Sequence, residues 1–290
     1  MIAISGLTKH YGSVLAVDGV SLEIPSGSVC GLLGRNGAGK TTTFKCLVGF
    51  ARPESGDIRF DGAPLTTQTF ARLGYVPERP TLYGWLTVAQ HLEIARRTQP
   101  AYDAERAAEL TALFRLDVRK KASRLSKGQQ TALSLIVALA HRPSILLLDE
   151  PASGLDPVMQ RVVLDVLIDA ATSGAAILLS SHQISQIDRA ADRIAIMRDG
   201  AIVVSGELDA LREAARIVEA TFERSIPDDV AAMPGVTVIQ RAGSTIRVNA
   251  DGRADAVAAR FGAMGATGVR VLDRSLEDLF LDAVGEGAVD

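Results

Sequence analysis

A run of glycines followed by a lysine and three threonines interrupts an apolar segment near the start of the chain. Residues 30–49 read CGLLGRNGAGKTTTFKCLVG. Packing alone does not favour glycine in such a place, because glycine loses backbone entropy on folding and adds no side chain to a core. A ligand that approaches the backbone closely does favour it. Residues 34–41, called here the phosphate loop, fit the pattern G-x-x-x-x-G-K-[ST], which holds the phosphates of a nucleotide.

The residue types of the phosphate loop explain this chemistry. Glycines let successive backbone N–H groups close around phosphate oxygens, and the N-terminus of the following helix adds positive potential. Lys40 is predicted to reach the β- and γ-phosphates during catalysis, and the Thr41 hydroxyl is predicted to bind Mg²⁺. The alternative is a glycine turn that matches by chance, but the strand–loop–helix context that the motif requires is present. The predicted nucleotide contacts here are Gly34, Asn36, Gly37, Gly39, Lys40, Thr41 and Thr42.

Two acidic residues and a histidine follow two further apolar runs. Asp149 and Glu150 close the run SILLLDEP, and His182 closes AAILLSSH. Adjacent acids at a strand tip often belong to a solvated loop, and a histidine there is often a surface or helix-capping residue. Beside a phosphate loop the functional interpretation is favoured. Asp149 is then a Mg²⁺ ligand, Glu150 activates a water for attack on the γ-phosphate, and His182 contacts that phosphate.

The segments that carry these residues predict an α/β fold with a parallel sheet. Continuous apolar strands are expected at 29–34, 144–151 and 175–182, with helices between them and a mainly helical stretch at 87–142. Such strands are typical of a parallel sheet covered on both faces. Ligands of these sheets bind beyond the carboxyl ends of the strands. The three polar clusters are therefore expected to converge.

Composition changes near Arg212, which predicts two domains, 1–212 and 213–290. In the second, strands are expected from RIVEATF, VTVIQR, TIRVNA and GVRVLD, with helices from PDDVAAM, RADAVAARFGAMG and SLEDLFLDAV. This βαββαβ order with an added helix indicates a small α+β domain of the ferredoxin-like type. An accessory or regulatory role is expected for it.

The composition of the chain also restricts the classes of function that are expected. The chain has 290 residues, 47% of them hydrophobic, and a formal net charge of −3. A general nucleic-acid binder would be basic, so no nucleic-acid partner is expected. The N-terminus has no signal-peptide pattern, and the longest nearly apolar run, TALSLIVALA, is about half of the ~20 residues of a membrane span. We expect a soluble protein whose Cys30 and Cys46 pack as free, buried thiols.

The segment RLSKGQQTALSLIVALAHRPSILLLDEPASGLD, residues 124–156, resembles the ATP-binding subunit of an ABC transporter. The resemblance covers about residues 1–210. It implies a P-loop NTPase with a RecA-like core, an N-terminal antiparallel β portion and a helical subdomain at about 84–143. It also implies ATP and Mg²⁺ as ligands, ATPase activity, and a head-to-tail dimer in which ATP is held between two copies.

The resemblance assigns further residues. Ser126, Gly128 and Gln129 match the signature loop that caps ATP across the dimer, and Asp156 belongs to the loop that crosses the interface. Tyr11 matches the aromatic residue that stacks on adenine, although a lone tyrosine in a turn is more often surface packing.

Two positions depart from the family pattern. Glu78 stands where the family usually has glutamine, and it is expected to bind Mg²⁺ and to link the ion to the permease-facing loop. Lys127 replaces a frequent glycine of the signature loop, and ATP capping is expected to tolerate it.

The partners implied are a second nucleotide-binding subunit and separate transmembrane permeases, which would place the chain on the cytoplasmic face of the cell membrane. Leu82, Tyr83 and Trp85 either pack in the core or line an apolar groove for a membrane partner; the resemblance favours the groove. The C-terminal helix, with Leu276 and Phe280 on one face, is similar to that of subunits serving drug, antibiotic or polysaccharide exporters. The alternative is a soluble ABC-type ATPase switch acting on a cytosolic partner. A DNA-repair cassette is disfavoured, because no long heptad insertion separates the two ATP motifs.

Overall fold

The computed structural model describes residues 1–223, 225–227, 230 and 233–285. The chain divides into two compact units, Met1–Ser205 and Gly206–Asp290. The boundary expected after Arg212 falls instead inside a helix of the second unit, Leu208–Ala214.

Both units combine strands and helices. The strands of the chain are β1 (Ile2–Tyr11), β2 (Val14–Ile24), β3 (Val29–Gly34), β4 (Ser55–Phe60), β5 (Leu73–Val76), β6 (Ile145–Asp149), β7 (Ala176–Ser180), β8 (Arg193–Arg198), β9 (Ala201–Glu207), β10 (Ile217–Phe222), β11 (Thr237–Ala242), β12 (Thr245–Asn249) and β13 (Ala266–Leu272). The helices are α1 (Lys40–Leu47), α2 (Thr67–Phe70), α3 (Val88–Thr98), α4 (Ala104–Leu113), α5 (Lys127–Leu139), α6 (Pro157–Thr172), α7 (Ile184–Ala190), α8 (Leu208–Ala214), α9 (Ala254–Ala263) and α10 (Leu276–Val284), with a 3-10 helix at Ala122–Arg124.

The central sheet has the strand order β5-β6-β7-β3-β8-β9, and β5, β6, β7, β3 and β8 run parallel. Every residue of β3, β6 and β7 is buried, which explains their continuous apolar sequences. Cys30 and Leu32 of β3 belong to the same core as Phe44 of α1. Gly31 lies between them and therefore faces the other side, where Ile187 of α7 covers it. Helices cover both faces, and the prediction of a parallel α/β sheet is confirmed.

The N-terminal strands form a second, antiparallel sheet in the order β2-β1-β4. Its inward side chains, such as Ile4 and Phe60, join the core that contains α1 and one face of the central sheet. β1 and β2 are a hairpin whose last pair is Tyr11 with Val14. The antiparallel N-terminal portion expected from the resemblance is present.

The stretch between β5 and β6 is helical, as predicted. α3, α4 and α5 each begin at a side chain that accepts a hydrogen bond from the first turn: Thr87, Asp103 and Ser126, respectively. Such caps satisfy N–H groups that have no partner within the helix. These capping residues mark the starts of the three helices of the segment.

The second unit contains an antiparallel sheet in the order β11-β12-β10-β13. Phe261 of α9 belongs to the same core as Val218 and Val248, which lie on the central strands. This interleaved strand order suits two βαβ halves, the pattern predicted from the sequence. The helix predicted at 227–233 includes residues outside the described ones.

The two cysteines are free and buried, as predicted. Burial raises the pKa of Cys30 to about 12, so its thiol stays protonated at neutral pH. In the described part of the chain, no helix combines the length and the apolar character that a membrane crossing requires.

Candidate nucleotide-binding site

The phosphate loop joins the end of β3 to the first turn of α1. Lys40 is the first helical residue and is only 8% exposed. Its Nζ donates hydrogen bonds to the backbone carbonyls of Gly34 at 2.6 Å and Arg35 at 3.2 Å. Burial lowers the pKa of Lys40, while the nearby carboxylates, first among them that of Glu150, act in the opposite direction. The lysine is therefore a buried cation that the loop already orients.

The glycine requirement of the loop is steric at Gly39. This residue has φ 105°, and a Cβ built on it would lie 2.5 Å from the carbonyl oxygen of Ala16 on β2. Both the backbone conformation and the close approach of the hairpin therefore require glycine. At Gly37 φ is 82° and the space around a Cβ is open, so the requirement there is conformational alone.

Asp149 ends β6 with an almost fully buried side chain, 1% exposed as a residue. Its Oδ1 accepts a hydrogen bond from Ser180 Oγ at 2.7 Å, and Ser180 Oγ accepts one from the Glu150 N–H at 3.0 Å. Asp149 Oδ2 is buried and has no hydrogen-bond partner among the described residues. A buried carboxylate oxygen left in this way carries a large desolvation penalty. A bound cation would remove that penalty.

Glu150 follows directly after β6 in the left-handed conformation, with φ 55°. Its Oε2 lies 2.7 Å from Nδ1 of His182, two residues beyond the end of β7. The glutamate side chain is largely buried at 13% exposure, whereas that of His182 is 54% exposed. Because a carboxylate only accepts hydrogen bonds, Nδ1 carries the hydrogen in this contact. The histidine holds the glutamate in one orientation.

These elements enclose a cavity of about 490 Å³ beside the phosphate loop. It brings together the predicted residues from three strand ends, and the expectation that these clusters converge is correct. Tyr11 does not line this cavity, and Gly34 contributes its carbonyl to Lys40 instead. The cavity is lined by Ala16, Asn36, Gly37, Ala38, Gly39, Lys40, Thr41, Thr42, Glu78, Asp149, Glu150, Ser153 and His182.

A second cavity, of about 460 Å³, lies between the starts of α5 and α6. Its lining includes Ser126, Gly128, Gln129 and Asp156, none of which lines the first cavity. Ser126 Oγ accepts from the Gln129 N–H at 3.2 Å, and Gln129 Oε1 accepts from the Ser126 N–H at 3.2 Å. Asp156 accepts from two N–H groups of α6, each at 3.0 Å. Within one chain these side chains cap helices and do not meet the phosphate loop.

Comparison with known proteins decides the family. A family model described as ABC transporter matches residues 17–153. The uncharacterized ABC transporter ATP-binding protein YhaQ of Bacillus subtilis is 37% identical over 217 residues, which are 73% of each chain. The chain belongs to the ABC transporter ATP-binding proteins. The predictions of ATP binding and ATPase activity are confirmed at the level of this family.

Two further relatives of this ABC protein match over its whole length. The Nod factor export ATP-binding protein I of Sinorhizobium fredii is 31% identical and is covered over 87% of its length. The bacitracin transport ATP-binding protein BcrA of Enterococcus faecalis is 29% identical and is covered over 98%. The second unit is therefore included in both alignments.

Solved structures agree with the fold of the first unit. An ATP-binding subunit of an ABC transporter superposes with a TM-score of 0.69 at 30% identity, covering 73% of this chain and 92% of that one. MJ0796, a bacterial ABC transporter cassette solved as a dimer, gives 0.65 at 25% identity, covering 72% and 99%. The P-loop α/β fold of this ABC protein is thereby confirmed.

The aromatic residues after β5 of the ABC protein lie on its surface. Tyr83 and Trp85 are 53% and 69% exposed, and their ring centroids are 5.2 Å apart. The buried His91 fixes this loop, because its Nε2 accepts from the Tyr83 N–H at 3.1 Å and its Nδ1 pairs with the Thr87 carbonyl at 2.8 Å. The alternative in which these two rings pack in the core is wrong. Leu82 is half-buried beside them.

Sequence reasoning missed Ser180, which bridges Asp149 and Glu150. The resemblance placed Ser153 in the interface-crossing loop with Asp156, and the structure places it at the wall of the first cavity. The sequence did contain a signal for Ser180, because this serine is the first polar residue after the apolar run AILL and therefore lies at the end of a strand. Ser153 follows Glu150 in a turn, with its N–H bonded to the Glu150 carbonyl at 3.1 Å.

Proposed function

We propose that this subunit binds MgATP in the 490 Å³ cavity, hydrolyses it between two copies of the chain, and thereby drives export through separate permeases in the membrane. The observation that carries the proposal is the Glu150–His182 contact of 2.7 Å in the same cavity as the buried ammonium of Lys40. A base with its orienting partner, together with a phosphate-binding cation, are the parts that phosphoryl transfer to water needs.

Binding is assigned to the phosphate loop. Backbone N–H groups at Gly37 and Gly39 and the N-terminus of α1 surround the phosphates, while Thr42 stands beside them. The Lys40 ammonium exchanges its backbone carbonyl partners for β- and γ-phosphate oxygens. Tyr11, at the tip of the neighbouring hairpin, provides the surface for the adenine ring.

Mg²⁺ fits the residues that are present. Thr41, Glu78 and Asp149 all line the cavity, and no described residue donates a hydrogen bond to Asp149 Oδ2. Among the described residues no cluster of three or more His, Cys, Asp or Glu side chains could hold an ion alone, and Mg²⁺ at phosphates commonly uses one or two carboxylates together with phosphate oxygens. When bound, the ion neutralises charge on the phosphates.

Hydrolysis is assigned to Glu150 and His182. The Glu150 carboxylate accepts a proton from the attacking water, and the His182 hydrogen bond keeps that carboxylate aimed at the water. The exposed edge of the imidazole contacts the γ-phosphate. Lys40 stabilises the charge on the oxygens of the transferred group.

A second copy completes the site. Ser126, Gly128, Gln129 and Asp156 line a separate surface cavity at the N-termini of α5 and α6, and in this proposal they cap the ATP bound by the partner. The dimer of the similar cassette MJ0796 supports this arrangement.

The membrane partner binds the exposed aromatic pair Tyr83–Trp85. Two exposed rings in contact form an apolar surface that suits a short helix of a permease. Export is favoured because two relatives that match the whole chain are a Nod factor export protein and a bacitracin transport protein. The chain then lies on the cytoplasmic face of the cell membrane.

The test compares wild-type protein with Lys40→Ala. Wild type should bind ATP in the presence of Mg²⁺ and release phosphate, and its rate should rise when it is reconstituted with its permease. Lys40→Ala should neither bind ATP nor release phosphate. Wild type that neither binds nor hydrolyses ATP would refute the assignment, as would full activity in Lys40→Ala. A rate of phosphate release that the permease does not change would favour a soluble switch.

A further inference from the structure

The end of β1 holds a tyrosine ring against a lysine. Lys9 and Tyr11 are two residues apart on the strand, on either side of a register shift between Lys9 and His10 in the pairing with β2. The Lys9 ammonium lies 5.4 Å from the centroid of the Tyr11 ring. The ring is 49% exposed. The lysine is thus the polar group that the structure places on this ring.

Glu54, just before β4, holds the lysine in turn. Its N–H donates to the Thr8 carbonyl at 3.0 Å, which fixes its backbone to β1. Its carboxylate accepts from Lys9 Nζ at 2.8 Å and from the His10 N–H at 2.8 Å. These hydrogen bonds, that of Lys9 first, lower the pKa of Glu54 to about 2. The carboxylate is therefore ionised throughout the physiological pH range.

The same hairpin forms part of the nucleotide site. Tyr11 pairs with Val14, which is also exposed, and Ala16 two residues later lines the 490 Å³ cavity. The Ala16 carbonyl packs so closely on Gly39 that a Cβ there would lie 2.5 Å from it. The Tyr11 ring therefore belongs to a hairpin that contacts the phosphate loop directly.

We infer that Glu54 and Lys9 are positioning residues that set the Tyr11 ring as the platform for the nucleobase of the bound triphosphate. This inference rests on the proposed function. A cation over one face of an aromatic ring is attracted to it and limits its rotation. The opposite face is then presented to a base, and stacking on an already ordered ring requires less ordering on binding.

The competing explanation is an ordinary surface ion pair, which contributes little. The two explanations predict different effects of a substitution on ligand affinity. Loss of a surface pair leaves ligand affinity unaltered, whereas loss of a platform weakens only ligands that carry a base.

The experiment measures binding of two probes to the full chain with Mg²⁺: ATP, and inorganic tripolyphosphate, which has no base. Lys9→Met and Glu54→Ala should weaken ATP binding about two- to five-fold, in line with one lost cation–π contact. Tripolyphosphate binding should stay unchanged. The KM for ATP should rise by the same factor with kcat unaltered, and Lys9→Arg should restore it. Lys120→Met, an exposed lysine away from the hairpin, is the matched control.

A double substitution separates positioning from general damage. In a Tyr11→Ala background, Lys9→Met should weaken ATP binding no further. Equal loss of both probes in Lys9→Met or Glu54→Ala would overturn the inference in favour of a structural role of the hairpin, and so would unchanged ATP affinity. Failure of the wild-type chain to bind either probe would refute the proposed function itself and this inference with it. Normal tripolyphosphate binding with unaltered ATP affinity would refute the inference alone.

Discussion

Oε2 of Glu150 lies 2.7 Å from Nδ1 of His182, although the two residues are separated by 32 positions in sequence. The contact exists because β6 and β7 are parallel neighbours, so their carboxyl ends deliver both side chains to one edge of the sheet. The hydrogen bond uses only one nitrogen of the imidazole. The second nitrogen is thereby left to act on a phosphate oxygen while the first orients the base.

Glu150→Gln should abolish turnover while retaining ATP. The amide keeps the size of the side chain but cannot take a proton from water, and removal of a general base lowers rates by about 10²- to 10⁴-fold. Bound ATP would then persist, and the chain should elute as a dimer in size-exclusion chromatography with Mg²⁺ and ATP. Phosphate release gives the rate.

Glu23→Gln is the matched control, because Glu23 is exposed on β2, outside the cavity lining. It should behave as wild type in both measurements. Normal phosphate release by Glu150→Gln would remove Glu150 from its role as the base.

Ser180→Ala should weaken the response to Mg²⁺. The Ser180 hydroxyl donates to Asp149 Oδ1 and accepts from the Glu150 N–H, so the substitution leaves a buried carboxylate with neither oxygen bonded to the protein. An unsatisfied buried group costs about 1–3 kcal/mol. We expect a lower free energy of unfolding. Because the hydroxyl no longer orients the Asp149 carboxylate, we also expect a higher Mg²⁺ concentration for half-maximal phosphate release.

The control for Ser180 is Ser173→Ala, since Ser173 is exposed and bonds only the Asp169 carbonyl at the end of α6. A Ser180→Ala protein with the Mg²⁺ titration and unfolding midpoint of wild type would show that Asp149 does not depend on this hydroxyl.

The residues of the cavity could be predicted because each cluster follows a continuous apolar strand. Lys40, Asp149 and His182 were placed together from that rule alone, since parallel strands end at one edge. The order of the strands in the sheet could not be predicted by the same rule. β3 lies between β7 and β8, although it precedes both by more than a hundred residues, and only the packed sheet determines that arrangement.

Ser180 illustrates what local patterns miss. It pairs with Asp149 in the register of β6 against β7, and that register is a property of two strands together. For Ser126, Gln129 and Asp156, by contrast, the local structure could be predicted but the function could not. Their local role as helix caps follows from position, whereas a contact with ATP was suggested only by resemblance to the ABC proteins.

His141 should make stability depend on pH. The residue is buried, its Nδ1 has no partner among the described residues, and burial lowers the pKa of its imidazole. The unfolded chain then binds this proton at a higher pH than the folded chain. The free energy of unfolding should therefore fall as pH drops below about 6.5, by at most about 1.4 kcal/mol per pH unit, until the folded-state pKa is reached.

Chemical denaturation at pH 5.5 and pH 7.5 measures this effect. His141→Gln should be less dependent on pH than wild type, because the amide does not titrate. An identical pH dependence in the two proteins would assign the effect to other groups.

Trp85→Ala should uncouple the subunit from its permease. The indole is 69% exposed and contacts Tyr83, so its removal deletes apolar surface without opening the core. We expect ATP binding to persist and the stimulation of ATPase activity by the permease to fall. Val203→Ala, at an exposed apolar residue of β9, is the comparison. Full stimulation of Trp85→Ala would exclude this ring from the interface.

Gly262→Ala should stabilise the second unit, whereas Gly39→Ala should impair the first. Gly262 lies within α9, has no atom of a described residue within 4 Å of a built Cβ, and lacks a positive φ, so alanine should gain about 0.5–1 kcal/mol from helix propensity. At Gly39, alanine meets both φ 105° and the Ala16 carbonyl. Thermal unfolding should therefore show a higher midpoint for Gly262→Ala, and ATP titration a weaker affinity for Gly39→Ala alone. A lowered midpoint in Gly262→Ala would mean that the position is packed against something other than solvent.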